Sequence, residues 1–84
     1  MAVTILYFAG LREALGRSCE QIALPVGVSR LGELHAHLLA RGGAWQALGQ
    51  TKNLRAAVNQ KMAEMDASIR DGDEVAFFPP VTGG

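Results

Sequence analysis

Phe77-Phe78-Pro79-Pro80-Val81-Thr82-Gly83-Gly84 is the stretch from which the rest of the chain is read. It leaves a strand, passes a diproline and runs into a diglycine. Alternation through Glu74 to Phe78 puts Val75 and Phe77 inward and Glu74, Ala76 and Phe78 outward. Proline has no N–H and a fixed φ, so Pro79 and Pro80 end the strand's ladder and hold the next residues extended. Glycine has no Cβ, so Gly83 and Gly84 offer the narrowest backbone available. At about 3.3 Å per extended residue, Pro79 to Gly84 spans about 20 Å. The expectation is a folded domain over residues 1–78 and a flexible diglycine tail over 79–84, shaped to enter another protein's pocket. A frayed, glycine-rich end is the plainer alternative.

Working outward, Asp66 to Asp73 is a turn-rich approach to the last strand, tightest at Asp71-Gly72. Asn53 to Asn59 reads as a strand with Leu54, Ala56 and Val58 inward, followed by a turn at Gln60-Lys61 and a short piece around Met62 to Glu64. Further back, Leu31, Leu34, Leu38 and Leu39 make the apolar stripe of the main helix, Arg30 to about Arg41. Ser29 is the expected N-cap, with Gly32 where a capping box needs Glu, and Gly42-Gly43 stops the helix. Leu34 and Leu38 belong to the expected core, and truncating Arg41, at the helix end, is expected to cost much less than truncating either. Ala44 to Leu48 adds a turn that Trp45 anchors.

At the start, Val3 to Ala9 is a near-continuous apolar run, the pattern of a strand covered on both faces. Leu11, Ala14 and Leu15 follow at helical spacing up to Gly16, and Ser18 to Leu24 alternates weakly as a second strand. The order β, short α, β, long α, then two or three strands implies an α+β fold. Four to five strands form a mixed sheet, with one main helix packed on one face.

Composition narrows the function. The chain has 84 residues, enough for one small core, and 8 Lys plus Arg against 8 Asp plus Glu. With its basic residues scattered, it offers nothing to attract nucleic acid. No segment is long enough to span a membrane, and no signal-peptide pattern opens the chain. Cys19 is the single cysteine, so no internal disulfide forms, which suits a reducing cytoplasm.

No self-contained catalytic set emerges. His35 and His37 lie about 200° apart around a helix and do not share a metal; the expected metal set is none. Cys19 lacks a neighbouring base, and inert is its default reading. The carboxylates Asp66, Asp71, Asp73 and Glu74 read as a solvated turn or as a contact for a basic partner. The glycines match no nucleotide-binding fingerprint. What remains is an outward apolar set, Phe8, Met62 and Phe78, expected to form an interaction patch near the root of the tail.

The block Asp71-Gly72-Asp73-Glu74-Val75-Ala76-Phe77-Phe78-Pro79-Pro80-Val81-Thr82-Gly83-Gly84 resembles the end of the molybdopterin synthase small subunit family. Ala56-Ala57-Val58-Asn59-Gln60, Val3 to Ala9 and Leu11-Arg12-Glu13 are similar to the same family. The resemblance implies a ubiquitin-like (β-grasp) sulfur carrier, with the first and last strands as parallel neighbours. It implies that Gly84 is adenylated by an activating enzyme, converted to a thiocarboxylate, and donates sulfur to a cyclic pterin precursor inside a large subunit, within a heterotetramer. Pro79, Pro80, Val81, Thr82 and Gly83 would then enter the partner, and Phe8, Met62 and Phe78 would meet it. The implied partners are the large subunit, the activating enzyme, which uses ATP, and a sulfur-donating enzyme; the chain itself holds no cofactor. The alternatives are a thiamine-pathway carrier of the same fold, and a ubiquitin-like modifier joined to lysines.

Overall fold

The computed structural model describes residues 2–80. The expectations for Val81, Thr82, Gly83 and Gly84 lie outside the described residues. Glu74–Phe78 (β5) is the strand on which the sheet is built. It runs parallel to Val3–Tyr7 (β1), pairing Ile5 with Val75 and Tyr7 with Phe77, and antiparallel to Arg55–Val58 (β3), pairing Ala56 with Phe77. Cys19–Ile22 (β2) lies antiparallel on the far side of β1, and Lys61–Ala63 (β4) lies antiparallel on the far side of β3. The sheet order is therefore β2-β1-β5-β3-β4. Pro79 thus comes directly after a central strand.

The helices are Ala9–Leu15 (α1), the main helix Leu31–Leu39 (α2) and a short Ala47–Gln50 (α3), preceded by a 3-10 turn at Gly43–Gln46. Core side chains come from one face of the sheet and one face of α2: Val3, Ile5, Tyr7, Val75 and Phe77 against Leu31, Leu34 and Leu38. Leu11, Leu48 and Ile69 close its edges. Period-2 alternation in the strands and i, i+3, i+7 spacing in α2 meet in one layer.

Three local expectations are corrected. The first strand ends at Tyr7, with Phe8 capping α1, and it is buried on one face only: Val3, Ile5 and Tyr7 are covered while Leu6 is half-exposed. Helices are placed on one side of this small sheet, so an apolar run does not guarantee cover on both. The second strand is shorter than Ser18 to Leu24, spanning Cys19–Ile22.

The third correction concerns α2, whose N-cap is Arg30 instead of Ser29. That shift puts Glu33 at the third helical position. Its carboxylate accepts the Ser29 N–H at 2.8 Å and the Arg30 N–H at 2.9 Å, which holds it below the usual carboxylate range. The helix's own first N–H groups go to the incoming chain: Leu31 donates to the Ala67 carbonyl and Gly32 to the Met65 carbonyl. A Cβ at Gly32 would stand 3.1 Å from that Met65 oxygen, so the close approach calls for glycine.

A candidate docking face at the root of the tail

Among the described residues no helix lies on the face of the sheet opposite α2. Strand register places Cys19, Leu6, Ala76, Ala57 and Met62 in one row across all five strands on that side. The next position toward the end of β5 brings Arg55 beside Phe78. Phe8 lies there too, because its N–H donates to the Phe77 carbonyl one step beyond the Tyr7–Phe77 pair. Phe8, Met62 and Phe78 therefore share a face; alternation alone had pointed outward for Phe78. Phe8 is 46% exposed and Met62 63%, while Phe78 is half-buried. Sequence reasoning placed Ala76 outward but did not join it, Leu6 and Ala57 to the three as one surface. The period-2 phase of Phe8 would have found Leu6.

The other side of β5 explains why the root is firm. Phe77 is fully buried; it stacks on Tyr7 at 6.5 Å between ring centroids and meets the His35 ring at 5.9 Å. His35 Nε2 lies 2.9 Å from the Leu48 carbonyl oxygen, which ties α2 to α3 and gives this histidine a packing role. His37 is exposed.

Beyond Tyr7 lies a charged cluster. The Tyr7 hydroxyl donates to Glu20 Oε2 at 3.0 Å, and Arg41 donates to both Glu20 oxygens at 3.0 Å. Arg17 stands 3.5 Å from the same carboxylate. The Arg41 guanidinium sits 4.4 Å above the Trp45 ring, which meets Tyr7 edge-on. Burial and the adjacent Glu20 push the Tyr7 phenol well above its ordinary range. Burial also pushes Glu20 upward, but hydrogen bonds from Arg41 and Tyr7 outweigh it and the carboxyl titrates below its usual value. Arg41 thus ties Glu20 of β2, itself bonded to Tyr7 of β1, to the segment just after α2, contacts that no local spacing announced.

The remaining candidates resolve simply. Asp73 accepts from the Asn59 side chain and from the Arg70 N–H, so it organises the turn before β5. Cys19 is exposed at one end of the open row. Among the described residues no group of three or more His, Cys, Asp or Glu is arranged to hold a metal. No helix among them is long and apolar enough to cross a membrane. Among the described residues the open face brings together no paired acid and base.

A mixed sheet with parallel β1 and β5 at its centre, one main helix across one face and an apolar face left open defines the ubiquitin-like β-grasp class. Within that class the chain belongs to the ThiS family, whose model matches residues 5–84. The molybdopterin synthase sulfur carrier subunit of Escherichia coli (strain K12) is 39% identical over 82 residues, covering 98% of this chain and 99% of the relative. A solved structure described as a putative molybdopterin converting factor, subunit 1, from Pyrococcus furiosus is 29% identical. It superposes with a TM-score of 0.79, covering 96% of this chain and 99% of the other. SAMP1 from Haloferax volcanii is 25% identical with a TM-score of 0.77 over 100% of both chains.

Proposed function

We propose that this chain is the sulfur-carrying small subunit of a molybdopterin synthase, inert alone and working through its tail. The observation that carries the reading is the position of Phe78-Pro79. A central strand, locked by the Tyr7–Phe77 stack, delivers a diproline beside an open apolar face. The relatives named sulfur carrier subunits support the same assignment.

In this reading residues 1–78 are the docking body and 79–84 the arm. A free carboxylate is a poor acyl donor. An activating enzyme therefore joins the Gly84 carboxylate to the adenylyl group of ATP, releasing pyrophosphate. Sulfide-level sulfur delivered by a sulfur-donating enzyme attacks the acyl carbon, breaks the bond to AMP and leaves a thiocarboxylate. In the large subunit that sulfur attacks the cyclic pterin precursor, and water returns the tail to a carboxylate. Pro79, Pro80, Val81, Thr82 and Gly83 occupy the partner's channel, while Phe8, Met62 and Phe78 cover its mouth. The carrier contributes reach and position, and the partners contribute catalytic groups. The chain binds no cofactor of its own; its compartment is the cytoplasm, where a lone thiol stays reduced.

Reconstitution with the activating enzyme, ATP, a sulfur source and the large subunit tests the reading. The wild-type carrier should gain the mass difference between oxygen and sulfur and support pterin conversion. A chain lacking Gly84, or extended by one residue, should do neither. Full conversion by the Gly84 deletion would overturn the assignment. Transfer of Gly84 to lysine amines instead of sulfur would favour a protein modifier, and rescue of thiamine synthesis alone would favour the other carrier pathway.

A further inference from the structure

One cleft, between β3 and β4 at the edge of the open face, has a chemistry of its own. Strands β3 and β4 pair from Val58–Lys61 to Ala56–Ala63, and beyond that pair their ends diverge. Between them lies a cleft of about 410 Å³, whose lining includes Leu54, Arg55, Met62, Glu64 and Met65. Met62 is 63% exposed and Met65 38%, so two unbranched thioether side chains of the lining are open to water. Methionine adapts its shape to an incoming apolar group at little rotamer cost, a property suited to docking.

Arg55 sets the polarity of that cleft. Arg17 and Arg41 pair with Glu20, and Arg30 donates to the Asp66 carbonyl. The Arg55 side chain makes no hydrogen bond or ion pair with the described residues, although Glu64 comes directly after the Ala56–Ala63 pair and lines the same cleft. Its register partner is Phe78, the last residue of β5 before the diproline. In the proposed carrier function, a large subunit that takes the tail beyond Phe78 meets Arg55 at its root. Burying an unpaired guanidinium is costly, so the covering surface has to supply an anion.

We infer that the cleft beside Arg55 is a specificity pocket: the protein that receives the tail places an apolar side chain between Met62 and Met65 and a carboxylate against Arg55. This rests on the proposed carrier function and names the chemistry of its partner's surface. Arg55 acts as a docking and selection residue, with no part in the sulfur chemistry.

The test measures binding of the full chain to the molybdopterin synthase large subunit across a salt series. Wild type is compared with Arg55→Glu, Arg55→Lys and Phe78→Asp. Arg55→Glu should bind at least about tenfold more weakly at low salt, largely through slower association, and the gap should close as salt screens the contact. Arg55→Lys should keep most of the affinity, and both Arg55 variants should melt with the wild type because Arg55 is exposed. If Arg55→Glu binds like wild type while Phe78→Asp does not, the pocket is refuted and the carrier reading stands. If the wild-type chain itself fails to bind, both fall. A wild-type homodimer that Arg55→Glu dissociates would assign the cleft to a second copy of this chain and overturn the inference.

Discussion

Glu20 shows how much a single side chain holds together here. It receives Tyr7 from β1 and a two-pronged Arg41 from beyond α2, with Arg17 close by. Removing Arg41 leaves a mostly covered carboxylate short of its main partner and uncovers Trp45. Arg41→Ala should cost about 1–3 kcal/mol, the range for hydrogen bonds to charged groups, measured by thermal or urea melts. The pH dependence has a definite sign. The folded pKa of Glu20 lies below its ordinary value of 4.5, so its contribution is present above that value and is lost as pH falls through the folded pKa. The stability gap between wild type and Glu20→Gln should therefore be widest near neutral pH and shrink as pH falls below 4.5 and through the folded pKa. An unchanging gap would mean that the carboxylate's charge is not what the cluster uses. None of this was legible in the sequence, because the cluster joins β1, β2, the end of α2 and the Trp45 turn, and no local spacing links them.

Among the elements, the β3–β4 hairpin carries visible strain. Its two central residues, Asn59 and Gln60, both have positive φ, 51° and 69°. Two-residue hairpin turns of that hand favour glycine at the second position, where Gln60 stands. Asn59 has a reason to stay, since its side chain ties the turn to Asp73 and to the Glu74 N–H. Gln60 is exposed and has no such bond among the described residues. Gln60→Gly should stabilise by about 0.5–1 kcal/mol, seen as a melting-point rise of several degrees in a domain of this size. A lower melting point would show that the loss of chain entropy outweighs the relieved φ. In α2, Leu34→Ala or Leu38→Ala should cost about 2–5 kcal/mol, as both are fully buried. That stripe could be read from periodicity alone. The helix start could not, because Glu33 reaches back to two N–H groups and the incoming Met65–Ala67 strap takes the next two.

For the molecule as a whole, two adjacent phenylalanines divide folding from docking. Alternation through β5 was readable because the diproline fixes where the strand stops, and the structure agrees: Phe77 is fully buried, Phe78 half-buried on the open face. The parallel pairing of β1 with β5 was not readable from pattern; it came from the family resemblance. The extent of the open face was also hidden, since the apolar run of β1 suggested cover on both sides. Phe77 stacks on Tyr7 and meets His35, so Phe77→Ala should cost about 3–5 kcal/mol, a large share of a small domain's stability, and leave much of the protein unfolded. Phe78→Asp adds a charge where water already reaches and removes nothing from the core cluster, which includes Phe77 but not its neighbour. It should fold with a near wild-type melt and lose binding to the large subunit, because docking would bury the new carboxylate among apolar groups. The pair is measured by thermal melt and by binding titration on the same samples. Unfolding of Phe78→Asp would place Phe78 in the core, and full-strength binding by a folded Phe78→Asp would remove the open face from the contact.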